Sequence, residues 1–82
     1  MMNEIAYKRH LLFNSLKFWG TRMYESYIEQ NEKMIEYYEG KISGIIEAMH
    51  TMRIISINTY LILDDMLTMK RIKLREEYLK IC

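Results

Sequence analysis

Proline and valine are absent from the sequence, alanine occurs twice, glycine three times and cysteine once. Each shortage excludes something. With no proline, and glycine only at positions 20, 40 and 44, little interrupts a regular backbone. The single cysteine, Cys82, rules out a disulfide within the chain and fits a reducing compartment better than a secreted scaffold. No cysteine spacing matches a zinc site, and no glycine loop could cradle a phosphate. A formal charge of +1 gives no overall pull toward nucleic acid, anionic membrane or acidic substrate. Long apolar runs are missing too. The longest, Ile54 to Leu63, is interrupted by Ser56, Asn58 and Thr59, and is about half of what a helix needs to cross a bilayer. The segment from Met1 to His10 has no apolar run of signal-peptide length. These features predict a soluble, cytoplasmic chain without a membrane partner.

What is present bounds the fold. Eighty-two residues make one domain, and half of them are hydrophobic against 28% charged, which excludes a disordered chain. A domain this small buries only about 60% of the surface its unfolded chain exposes. Disulfides, a metal or a second subunit usually close that gap. With disulfides excluded, a second subunit is the leading expectation. Isoleucine, lysine, tyrosine, methionine and glutamate dominate the composition. That bias points to an AT-rich genome, and to a short accessory protein of a virus or mobile element; a viral origin would place the chain in the host cytoplasm.

Helical periodicity predicts an all-α fold. A first helix is expected over about 4–19, with Asn3 as its cap and Gly20 as its stop. One side carries Ile5, Leu12, Leu16 and Trp19, and nearly the opposite side Tyr7, Leu11 and Phe18, which implies contacts on both. A second helix is expected over about 21–39, capped by Thr21. Met23, Tyr24, Tyr27, Ile28, Met34, Ile35 and Tyr38 form its apolar face. Glu25, Glu29, Glu32 and Glu36 run opposite, with Glu39 at the edge of that stripe. Gly40 and Gly44 mark a turn at 40–43 that folds the remainder back as an antiparallel hairpin.

From Ile42 onward one apolar phase persists through Ile45, Ile46, Met49, Met52, Tyr60, Leu63, Leu67, Leu74, Tyr78 and Ile81. Its persistence predicts one long helix over about 43–80, and the alternative is a break near 57–65 with Thr59 or Asp64 as a new cap. Ile55-Ser56-Ile57-Asn58 alternates briefly like a strand, but no second strand is there to pair with it. A second seam, Ile54, Ile55, Leu61, Ile62, Met66, Met69 and Ile72, covers the other side of the long helix. The resulting architecture is a helical bundle of two shorter N-terminal helices and one long C-terminal helix, completed by homo-oligomerisation. A helix of about 38 residues is roughly 57 Å long. Two short helices cannot cover both sides of such a rod, so the second seam is the expected oligomer interface, most simply antiparallel about a two-fold axis.

Three constellations bear on chemistry. Glu47 and His50 have the Glu-x-x-His spacing of di-iron bundles. They project away from Ile42, Ile45, Ile46 and Met49, however, so they read as solvent-exposed polar residues and a bundle metal site stays an alternative only. Lys70, Arg71, Lys73 and Arg75, extended by Lys80, form the one basic cluster and the candidate nucleic-acid contact. At 100° per residue these cations spread around the helix, and Glu76 and Glu77 follow at once, so a regulator that binds nucleic acid is the first alternative to association, with the metal site second. Finally, seven tyrosines and eight methionines suit helix interfaces, where a tyrosine body packs and its hydroxyl reaches the rim while methionine fills gaps. The expected function is protein–protein association, structural or regulatory. No enzyme activity, small-molecule substrate or cofactor is expected, because no nucleophile sits beside a base held by a third group.

Overall fold

The computed structural model describes residues 3–79, and among them every regular element is helical. Three helices, α1 (Glu4–Ile28), α2 (Glu32–Thr51) and α3 (Ile57–Leu74), run up, down and up, and α3 ends in a π-helical turn, Arg75–Leu79. Lys80, Ile81 and Cys82, expected at the end of a long helix, lie outside the described residues.

Side-chain caps open each helix. Asn3 Oδ1 accepts from the Ala6 N–H at 2.7 Å, Asn31 Oδ1 from the Met34 N–H at 3.3 Å, and Ser56 Oγ from the Thr59 N–H at 3.2 Å. Each satisfies an amide that the first helical turn leaves without a backbone partner.

The expected boundaries are corrected at every glycine. Gly20 lies inside α1, and Gly40 and Gly44 lie inside α2. Thr21 caps nothing; its hydroxyl donates to the Lys17 carbonyl one turn back at 3.0 Å. Glycine in a helix costs about 1 kcal/mol, and α1 offsets it with Met23 and Tyr27 buried in the core and Leu16 and Trp19 packed against it. The actual stops fall at Gln30 and Arg53, the two non-glycine residues with positive φ, 56° and 58°. Around the first, Gln30 N–H bonds the Tyr27 carbonyl and Asn31 N–H the Ser26 carbonyl. Around the second, Arg53 N–H bonds His50 and Ile54 N–H bonds Met49. Both are Schellman turns, which saturate the last carbonyls of a helix through one left-handed residue.

The second turn also corrects the long helix. The chain leaves helix at Met52–Ser56, just ahead of the 57–65 alternative, and 57–65 itself is helical. Ile54, the residue after the left-handed position, is 5% exposed and Met49 is fully buried; this apolar pair is the usual companion of such a turn. Arg9 Nη2 donates to the Ile54 carbonyl at 3.2 Å and ties α1 to the same corner.

The core is thin. Met23 and Tyr27 of α1, Ile35, Ile42 and Ile46 of α2, and Leu74 of α3 form its centre. Trp19, Tyr60, Leu63 and Leu67 pack against that centre without full burial. The molecule measures 48 × 22 × 16 Å, so it is little more than two helix layers deep in its thinnest direction. Among the described residues eight apolar side chains are buried, while fifteen large ones are exposed. That imbalance sets the question of function.

Candidate association surface

Of the fifteen exposed large apolar side chains, six lie on the 18 residues of α3 and seven on the 25 of α1. The inner face of α3, Tyr60, Leu63, Leu67 and Leu74, leans on α2 and on the C-terminal part of α1. Its outer face is apolar as well: Leu61, Ile62, Met66, Met69 and Ile72 are 48 to 60% exposed. These five come from the expected interface seam. Ile54 does not belong with them, because it is buried in the chain's own corner at the second turn, and Ile55 beside it is half-buried there.

The outer face of α3 continues into a groove. Over their central turns α1 and α3 flank α2 without closing on each other, leaving an apolar channel of about 550 Å³. Ile42 and Ile46 floor it, Leu16 and Gly20 stand on the α1 side, and Leu63 and Met66 stand on the α3 side. Lys17 and Lys70 line its polar margin. A shallower apolar hollow of about 450 Å³ lies between α1 and α2, lined by Leu12, Tyr37, Ile45 and the small residues Gly40, Gly44 and Ala48. On α1 the second expected seam, Tyr7, Leu11 and Phe18, is also exposed; within the chain α1 has partners on one side only.

The basic cluster is divided. Arg71 Nε lies 2.7 Å from Glu39 Oε2 and Arg75 Nη2 lies 3.2 Å from Glu39 Oε1, so one carboxylate holds both guanidinium groups. Glu39 is 6% exposed, not on the rim of an acidic stripe as its sequence position implied. Tyr27, with no exposed surface, donates its hydroxyl to Glu39 Oε2 at 2.6 Å. Burial first, and then the hydrogen bond and negative charge of Glu39, push the Tyr27 phenol up to about 12. Four partners thus satisfy each other where α1, α2 and α3 meet, as buried polar groups must. Two of the four candidate nucleic-acid contacts are committed to this cluster; Lys70 and Lys73 stay exposed.

The cluster was within reach of the sequence. Ile35, Glu39, Ile42, Ile46 and Met49 follow the four-three spacing of a buried seam, with the glutamate inside it. Arg71 likewise takes the position between Leu67 and Leu74. A charge of each sign in the apolar phase of neighbouring helices is the signal of a buried pair.

Glu47 is exposed, but His50 is not the solvent-facing residue expected. Its ring is half-buried against Tyr60 of α3, with centroids 4.9 Å apart. Among the described residues no three acidic, histidine or cysteine side chains converge as a metal site. At the far end of the bundle Tyr78 closes α3 onto α1. Its hydroxyl lies 2.9 Å from that of Tyr24, and its carbonyl accepts from Gln30 Nε2 at 2.8 Å. The Tyr24 hydrogen bond, followed by desolvation, pushes the Tyr78 phenol up to about 12. No helix among the described residues is long and apolar enough to cross a membrane. No protein-family model, curated protein or solved structure matches the chain.

Proposed function

We propose that this protein works by association with further copies of itself, as a structural or regulatory helical assembly without chemistry of its own, of the kind made by viral or mobile-element accessory proteins. One observation carries the reading: the outer face of α3 exposes five large apolar side chains along a helix whose inner face already packs on the core. A helix apolar all round belongs in an interior. Each of these side chains is about half exposed and so forgoes roughly 1 kcal/mol relative to full burial. Together with the adjoining groove they make a contiguous apolar surface, and such surfaces on small proteins are association sites.

The test is sedimentation or light scattering at micromolar concentration. Wild type is expected as a dimer or larger, and Ile62→Asp/Met69→Asp as a helical monomer. Both positions are exposed within one chain, so the substitution leaves the three-helix core intact. A wild-type chain that stays monomeric, with melting independent of concentration, contradicts the reading.

A further inference from the structure

On the outer side of α3 the residues Ile62, Met66, Met69 and Lys73 are all exposed and follow one another at intervals of four, three and four. That is the a/d spacing of a coiled-coil seam over two heptads. Ile62 and Met69 take d, and Met66 and Lys73 take a. Asp65, just before Met66, then falls at g, and Lys70, just after Met69, falls at e. Both are exposed, and neither joins any of the four ion pairs formed among the described residues.

The two flanks fix a direction. In a parallel pair, g of one strand faces e of the other five residues further on, so Asp65 of each copy meets Lys70 of its mate on both sides of the seam. In an antiparallel pair, g faces g and e faces e, which sets Asp65 against Asp65 and Lys70 against Lys70. The antiparallel arrangement was the expectation for a continuous rod, and the turn at 52–56 removes that rod.

We infer that two copies join through parallel, in-register α3 helices, with reciprocal Asp65–Lys70 pairs flanking an Ile62–Met66–Met69 seam. The inference rests on the association reading above and adds its stoichiometry, direction and register. Met66 and Lys70 belong both to the seam and to the wall of the α1–α3 groove, so the mate's helix lies against that groove. Gly20 on the opposite wall leaves room for it: a Cβ there would meet nothing within 4 Å. Lys73 at an a position faces its own copy. A single lysine there lowers stability but selects oligomer state and register.

Cross-linking reads the direction. Ile62→Cys in a Cys82→Ser background places two thiols at facing d positions of a parallel pair, within disulfide reach, and mild oxidation should convert the dimer to a covalent one. In an antiparallel pair a positions face d positions, so residue 62 faces residue 73 and its own copy lies about 16 Å away along the axis, beyond the ~7 Å Cα limit for bridging. Charge reversal reads the flanks. Asp65→Lys and Lys70→Asp should each weaken the dimer about tenfold, and the double reversal should restore it. A chain that is dimeric but uncross-linked at 62, or indifferent to the single reversals, overturns the parallel register and leaves the association reading standing. A monomer at every concentration ends both.

Discussion

Helices α2 and α3 are built from similar numbers of residues and similar apolar content, yet they solve different problems. In α2 the buried groups Ile35, Ile42, Ile46 and Met49 share one side, and Glu36, Lys41 and Glu47 occupy the other. In α3 only Leu74 is buried, and apolar side chains surround the helix. An amphipathic helix is completed by its own chain, whereas a helix apolar on all sides asks for more protein than one chain supplies. Burial is therefore concentrated in α2, and α3 keeps most of its apolar surface outside the core.

The sharpest way to break that contrast is to make similar truncations in both helices. Ile46→Ala should destabilise the chain by about 3 kcal/mol, since it empties a buried site, and chemical denaturation will show it. Met66→Ala should change the unfolding of the isolated chain by no more than about 0.5 kcal/mol, and should weaken association instead. Equal losses in both would erase the distinction drawn here.

Next in size is the tie between the two helices. Glu39→Ala leaves Arg71, Arg75 and the Tyr27 hydroxyl without their shared acceptor. The arginines are partly solvated, 42% and 36% exposed at the side chain, which reduces the cost to about 2 to 3 kcal/mol. For a domain of this size that lowers the melting temperature by more than about 8 °C. A melting temperature unchanged in Glu39→Ala would mean that the cluster does not hold α3 in place.

The smallest effect is a dependence on alkaline pH. Tyr27 ionises at about 12 in the folded chain and near 10 when unfolded. A raised folded value means that the contribution is fully present below pH 10 and is lost as pH rises from 10 toward 12. Its size is on the order of 2 kcal/mol. Tyr78, raised to about 12 by its bond to Tyr24, acts in the same direction. Denaturation midpoints at pH 9 and pH 11 should separate more in wild type than in Tyr27→Phe.

The contrast between the helices also explains what could be read from the sequence. Apolar phase identified the right side chains: Ile42, Ile46, Met49, Tyr60, Leu63, Leu67, Leu74 and Tyr78 all face the core or lie at its margin. The same phase concealed the break, because a Schellman turn is short and α3 resumes close to the phase at which α2 stopped. Glycine misled in the other direction. It marks a stop where a left-handed residue is needed, but here that conformation falls to Gln30 and Arg53, whose side chains announce nothing. Asn31 and Ser56 did carry the boundary signal as caps. The seam residues on α3 were legible because they alternate with the inner face along one helix. The Glu39 cluster was legible only in the phase that Glu39 and Arg71 share with their apolar neighbours, because by residue type alone a charged side chain belongs in solvent.

The two connecting turns have a consequence for timing. Residues 29–31 and 52–56 are short joints between helices that are neighbours in sequence, so nearly every contact forms between adjacent segments. Topologies of that kind fold in about microseconds to milliseconds. Meeting a second copy is slower: with an association rate constant of about 10⁶ M⁻¹s⁻¹, a chain at micromolar concentration waits on the order of a second. For a chain that pairs as proposed, the interval between the two events is at least about a thousand folding times. Throughout it the outer face of α3 is finished but bare, and any other helix of suitable shape can reach it first.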